Sequence, residues 1–328
     1  MRRALLVALL LAASVVLSLS TGVRSITLAE ALSAVTAYDL DDPAHVTLMA
    51  IRLPRLVAGL VAGAALGVAG TVMQTLTRNP LADPGILGIN AGAAFALLLG
   101  AAVLGRSDQG AVALFAFPGA ALASLAVFSL GGGLRGEAGP VRLTLAGAAL
   151  NALLLSMVTA LVLIRQDSLD ILRFWVAGSL TEAVYRPVAG MALVMLAGAA
   201  LAFLIAPLIE ALSMGANVAR GLGTQPARVQ AGGLVAVTLT TGAAVAIAGP
   251  IAFLGLMAPH LARAAAGASM RAQLLISAAL GAIILTLADV AGRLVLAPGE
   301  VRAGIMVALL GGPLFIWIAR RLRPGAMS

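Results

Sequence analysis

Cysteine is absent from the 328 residues, which removes disulfides, thiol redox chemistry and thiolate metal sites from consideration. Lysine is absent as well, so all 21 basic side chains are arginines. Charge of either sign is scarce: only 10% of residues are Asp, Glu, Lys or Arg. A soluble domain carries about 25% and uses it to cover a water-facing surface. Histidine occurs twice, at His45 and His260, too far apart in sequence to suggest a paired metal site. The apolar runs contain no cluster of Asp, Glu and His that would coordinate a bare cation. No G-x-x-x-x-G-K-[ST] phosphate loop is present, so the chain has no ATPase site of that kind. His-Glu-x-x-His is missing too, which argues against a metalloprotease-like intramembrane enzyme.

Apolar and small residues take the place of all these. Hydrophobic residues make up 61% of the chain, Gly contributes 37 residues, and the mean hydropathy is +1.08. Such a chain belongs in a bilayer, where small residues let helices approach closely without a hydrophobic force between them. The net charge of +8 is the juxtamembrane arginine of a membrane protein. No basic and aromatic residues interleave as a nucleic-acid surface would require.

A spanning helix needs about 20 apolar residues. Segments 4–20, 56–76, 85–104, 111–131, 142–164, 187–209, 229–249, 272–292 and 303–319 qualify, and a tenth, interrupted by Pro250 and Pro259, falls in 251–267. The first could alternatively be a cleaved signal peptide, with Arg2-Arg3 before an apolar run and Ser18-Leu19-Ser20 after it. An internal repeat favours counting it as a span. Gly63-Ala64-Ala65, Ala69-Gly70 and Pro80 recur 179 residues later as Gly242-Ala243-Ala244, Ala248-Gly249 and Pro259. Inverted repeats are common in transporters, and inversion requires an odd number of spans in each half. The expectation is an all-α integral membrane protein, one domain over 1–328, with about ten helices in two inverted five-helix repeats near 48–165 and 229–321.

With the N-terminus inside, Arg2, Arg3, Arg78, Arg135, Arg142, Arg220, Arg228, Arg263, Arg271, Arg320, Arg321 and Arg323 fall on the inner side. The outer side receives Glu30, Asp39, Asp41 and Asp42, but also Arg24, Arg52, Arg55, Arg165, Arg173, Arg186, Arg293 and Arg302. These outer arginines run against the usual charge rule and need a reason. A secondary transporter driven by ions or protons would place ionisable relays at mid-membrane, and the spans are nearly free of them.

From Arg52 the chain reads RLPRLVAGLVAGAALGVAGTVMQTLTRNPLADPGILGINAGA. LAGAALNALL follows at 145–154, FWVAGSL at 174–180, ARGLG at 219–223, AGPIAFLGLMAPHLAR at 248–263, AD-x-x-GR at 288–293 and GIMVALLGGPLFIWIARR at 304–321. This ordered set, from about 48 to 323, resembles the FecCD family, the permeases of iron–siderophore, haem and vitamin B12 ABC importers. The resemblance implies a transport subunit of the bacterial cytoplasmic membrane with both termini in the cytoplasm. It implies a homo- or heterodimer with a second permease subunit. Two cytoplasmic ATPase subunits consume the ATP, and an extracytoplasmic binding protein delivers the chelate. No cofactor is expected on this chain, and its partners are proteins and membrane lipid, with no nucleic acid. Ferric siderophore is the leading cargo, with haem and cobalamin as alternatives.

The resemblance also assigns roles by motif position. Arg52, Arg55 and Arg293 correspond to arginines that receive carboxylates of the binding protein, for which a planar guanidinium is suited; Asp289, one turn before Arg293, offers it an internal partner instead. Segment 210–228 corresponds to the coupling loop, two short helices seated on the ATPase. There Met214, Val218 and Leu222 form an apolar stripe, Gly215 lies in the same loop, Arg220 belongs to the Ala219-Arg220 pair, and Gly221 and Gly223 permit a tight turn between the helices. Ala216-Asn217 replaces the family's frequent Gly-Glu. Asn151, in the fifth span, is a candidate for lining the pathway or for bonding a neighbouring helix. Asn79, Pro80, Asp83 and Pro84 forbid a continuous helix between spans two and three, and Asp83 or Asn79 is placed to cap the next one. Pro250 and Pro259 are expected to break the eighth span, with a gating role open to it.

Overall fold

The computed structural model describes residues 2–22, 24–105, 108–133, 139–165, 167–267 and 269–321; Arg135 and Arg323 of the inner-side arginines lie outside them. Every described regular element is helical. Ten helices coincide with the ten expected spans. They are α1 (Arg2–Ser20), α4 (Leu53–Thr77), α5 (Ile89–Leu104), α6 (Gln109–Leu130), α7 (Pro140–Ile164), α9 (Val188–Ser213), α11 (Pro226–Ala248), α12 (Leu254–Ala266), α13 (Met270–Val295) and α14 (Ala303–Arg321). Seven are long and apolar enough to cross a bilayer, and α5 and α14 are shorter apolar helices. Between them lie α2 (Leu28–Thr36), α3 (Pro43–Val46), α8 (Asp167–Val176) and α10 (Ala216–Gly221). The chain is a multi-pass membrane protein.

Two ends can be distinguished. The α2 end carries α2, α3, the turn after Gly178 and the loop 296–302; the α10 end carries α10 and the loops after α4 and α12. At the α2 end Thr27 and Glu30 form a reciprocal cap for α2. The Thr27 backbone N–H, donating to Glu30, holds that carboxyl below the usual carboxylate range. His45 is buried there between the Ser33 hydroxyl, 2.8 Å away, and the Asp39 N–H, 3.1 Å away, a structural histidine. A π-helical turn over Thr47–Arg52 leads into α4.

The centre is built from α4, α11 and α13. In the run Pro43–Thr77 and in α11, 78% and 72% of the apolar window is buried, against 11% for α1 and for α7. α4 and α13 touch backbone to backbone. A Cβ on Gly63 would lie 2.4 Å from the Gly281 carbonyl oxygen, and one on Gly67 would lie 2.1 Å from that of Ser277. Thr71 Oγ1 donates to Ser277 Oγ across the same seam at 2.7 Å.

Pro80 sits in the turn after α4, and Asp83 caps the short 3-10 turn Pro84–Leu87 by accepting from the Gly85 N–H at 2.7 Å. Asn79 accepts from the Leu81 N–H at 2.9 Å. The break before the eighth span lies where Pro250 predicts it: residues 249–253 are not helical. Pro259 does not break anything. It stands inside α12, and the carbonyl it leaves without a donor, that of Gly255, accepts from Gln74 Nε2 at 3.2 Å. The ungapped 179-residue register also stops short in the backbone: Gly70 is mid-helix in α4, whereas Gly249 ends α11.

Candidate functional site: a mid-chain cavity and two ends

A cavity of about 540 Å³ lies among α5, α7, α8 and the extended segment after α11. Its wall brings together Asp83, Asn90, Asn151, Trp175 and Pro250. Three of these, Asp83, Asn151 and Pro250, stand out in the sequence as breaks or polar interruptions, separated by up to 167 positions, and the fold gathers them. Asn90 and Trp175 were not singled out. Trp175 lies within FWVAGSL, but nothing in the spacing says that its ring is buried. Its Nε1 has no hydrogen-bond partner among the described residues. A buried donor left unsatisfied is costly. Most of the remaining wall is aliphatic, so the cavity can admit a bulky neutral or shielded solute and offers a few hydrogen-bonding groups to orient it. Among the described residues no group of three or more His, Cys, Asp or Glu could hold a metal ion.

The three arginines assigned to docking are brought together at the α2 end, and all three are buried, at 5% exposure each. Arg55 grips Asp289 through Nε, 2.9 Å from both carboxylate oxygens, and through Nη2 at 2.8 Å; its Nη1 meets Glu300 at 2.7 Å. Arg293 reaches the same Asp289 at 2.8 Å. Its other bonds go to the carbonyls of Ser18 and Thr21 at 2.9 and 3.0 Å and to Ser18 Oγ at 2.9 Å. Arg52 donates to the carbonyl of Leu19 at 2.5 Å and to that of Arg24.

A helix leaves its last four carbonyls without donors. At α1 these are Leu17, taken by the Thr21 N–H, Ser18 by Arg293, Leu19 by Arg52 and Ser20 by the Ile26 N–H. The arginines therefore close α1 and tie it to α4 and α13. All three are thus engaged inside the chain, although Arg293 Nε has no hydrogen-bond partner among the described residues.

The coupling segment keeps its expected surface. Met214, Val218 and Leu222 are exposed large hydrophobics on and around α10. Gly215 and Gly223 take positive φ, +124° and +78°, whereas Gly221 is the last residue of α10, without positive φ. The turn thus rests on Gly215 and Gly223. One short helix lies between α9 and α11 in place of two. Ala219 is fully buried beneath it, its carbonyl accepting from Thr224, and Arg220 bonds Asn217 Oδ1 at 2.8 Å.

Comparison with known proteins agrees with this architecture along nearly the whole chain. The chain is 44% identical over 317 residues to the ferric enterobactin transport system permease protein of Escherichia coli (strain K12), covering 97% of this chain and 94% of that protein. It is 41% identical to the iron(3+)-hydroxamate import system permease protein of Bacillus subtilis (strain 168), over 94% of this chain and 80% of that one. A solved structure of an inward-facing metal-chelate type ABC transporter superposes with a TM-score of 0.81 at 28% identity, covering 96% and 98% of the two chains. With the model of the FecCD transport family matching residues 10–321, this chain belongs to that family.

Proposed function

We propose that this chain is the membrane-spanning permease subunit of an ABC importer for ferric siderophore-type chelates. The observation that carries the reading is the conjunction of family membership with a mostly aliphatic cavity that has a few polar groups and no described metal-ligand cluster. The iron travels as cargo, already enclosed by its organic ligand. A wall of aliphatic side chains with Asn90, Asn151 and Trp175 among them binds such a solute weakly enough to release it. The two asparagines offer donors to the oxygen-rich surface of a chelate.

The two inverted repeats belong to the same reading. Its support is the matched Gly/Ala motif in α4 and α11, the two deeply buried helices that pack together at the centre. α7, with most of its surface exposed, is the face offered to a second permease subunit, so that Asn151 and the cavity border a shared pathway. The stripe of Met214, Val218 and Leu222 is the contact for a cytoplasmic ATPase, an apolar helix face laid in a groove. Both termini then lie in the cytoplasm of a bacterial inner membrane, with the α2 end outside, where a binding protein delivers the chelate. Arg52, Arg55 and Arg293 cluster at that same end, where this reading has the binding protein dock.

Uptake of radiolabelled ferric enterobactin into proteoliposomes holding this chain, its ATPase and its binding protein, with ATP inside, tests the reading. ATP-dependent accumulation is expected. Accumulation driven by a proton gradient without ATP overturns the ABC mechanism, and transport of haem or cobalamin in its place overturns the cargo.

A further inference from the structure

Away from the cavity, a second groove of about 400 Å³ opens on the flank of the bundle between α1 and α9. Its floor is made of small residues of α4 and α13, Ala64, Ala65, Ala278, Ala279 and Ala282, and its rims include Leu11 and Met195. Every lining residue is apolar. Water in such a groove would find no partners, and in a bilayer the available filler is hydrocarbon.

The groove has a charged mouth. Ala278, Ala282 and Arg271 fall seven and eleven residues apart on α13, hence on one helix face, with Arg271 about 10 Å beyond the floor toward the α10 end. On α9, Phe203 stands one turn beyond Ala199 on the groove face. The Arg271 guanidinium carbon lies 5.3 Å from the centroid of the Phe203 ring, a cation–π contact between α13 at the floor and α9 at the rim. Arg271 is exposed and makes no ion pair with a described carboxylate. Glu210, further along α9, is turned to the backbone N–H of Met270 at 3.3 Å.

An apolar trough that ends in an oriented, unneutralised guanidinium matches the two parts of one molecule. We propose that the groove holds an acyl chain of an anionic phospholipid whose phosphodiester is bound by Arg271. The Phe203 ring presets the guanidinium, and the alanine floor, by lacking side-chain bulk, leaves the room. The lipid thereby fills the gap between α1 and α9 over the α4–α13 floor. The inference rests on the membrane location alone and is independent of the cargo.

Native mass spectrometry of the purified full-length chain, titrated with phosphatidylglycerol or phosphatidylcholine of the same acyl composition, reads this directly. One phosphatidylglycerol is expected to be retained with about fivefold preference over phosphatidylcholine, the scale of one arginine at an anionic headgroup. Arg271→Ala should abolish the preference, and Arg271→Lys should restore part of it. Ala279→Phe, which fills the trough from a lipid-facing position, should reduce retention of both lipids. A thermal melt close to that of the unaltered chain establishes that each variant is folded. Equal retention of the two lipids by the unaltered chain overturns the proposal, as does a preference that survives Arg271→Ala. Conversion of a dimer to monomer by Ala279→Phe, with lipid retention unchanged, would show that a second copy occupies the groove and would also overturn it.

Discussion

The two ends of the bundle differ in how many carboxylates they set beside their arginines. At the α2 end, where the chain also places Glu30, Asp39, Asp41, Asp42, Asp170, Glu182, Asp289 and Glu300, most arginines are spoken for. Arg52 and Arg293 close α1, Arg186 donates to the Ile247 carbonyl near the end of α11 at 2.7 Å, and Arg302 donates to the Phe174 carbonyl in the last turn of α8. Arg55, Arg24 and Arg173 sit in ion pairs. At the α10 end the acids are few, and Arg3, Arg78, Arg263 and Arg271 make no ion pair with a described carboxylate. Arg3 and Arg78 meet backbone carbonyls, and Arg263 has a buried nitrogen with no partner among the described residues. A helix C-terminus carries partial negative charge, so an arginine folded onto it is neutralised locally and adds little to the charge of that side. The arginines of the α2 end, which run against the charge rule if that end is outside, are thereby explained: they serve the fold. Arg3 and Arg78 do the same on the last turns of α12 and α9, while exposed arginines of the α10 end such as Arg271 remain available to meet lipid.

That contrast breaks first at Asp289. Its carboxylate is the shared anion of two buried guanidiniums, so Asp289→Ala leaves Arg55 with only the half-buried Glu300 and strips Arg293 of its counter-ion. Removing one partner of a buried pair costs about 3–5 kcal/mol, and a large fall in the detergent melting temperature should follow. Glu300→Gln should cost less than about 1 kcal/mol, because the Glu300 side chain is 33% exposed and solvent screens its charge. Equal effects of the two would refute the buried-anchor reading. Next in size is the α4–α13 seam. Gly67→Ala sets a methyl against the Ser277 carbonyl, and overpacking of this kind costs about 1–3 kcal/mol. Gly190→Ala, with nothing within 4 Å of the added Cβ in α9, is the control and should not destabilise.

Hydropathy made the helices legible because each span must satisfy its own backbone in lipid, and that demand is written locally as length and apolarity. α12 was harder: its prolines predict a broken segment, yet only Pro250 marks a break. Pro259 is accommodated because Gln74, 185 positions earlier, supplies the missing donor, a compensation that no local reading contains. The same limit applies to the docking arginines. Arg52, Arg55 and Arg293 are visible in the sequence as charges on the unexpected side, and the Asp289–Arg293 pairing can be read from their four-residue spacing. That the carbonyls of Ser18, Leu19 and Thr21 would accept from Arg52 and Arg293 depends on where α1 packs. Asn151 and Asp83 were readable as polar interruptions; that Trp175 shares a cavity with them was not.

The smaller effects concern α10, where surface chemistry and backbone geometry can be separated. Replacing Met214, Val218 and Leu222 together by Ser removes exposed side chains and should change stability by no more than about 0.5 kcal/mol each. ATP-driven uptake should nevertheless fall by at least about tenfold if the stripe is a central contact for the ATPase; unchanged uptake would assign it to solvent or lipid. Smallest of all is a comparison within the turn itself. Gly221 closes α10 in an ordinary helical conformation with open space around its Cα, so Gly221→Ala should stabilise the segment by up to about 1 kcal/mol. Gly223, two positions on, has φ +78° and equally open surroundings, and there Ala must pay the left-handed penalty of about 1–2 kcal/mol. Since neither added methyl meets a neighbour, opposite signs in the two melting shifts would isolate backbone conformation as the cause. Destabilisation by both substitutions would instead restore Gly221 to the turn.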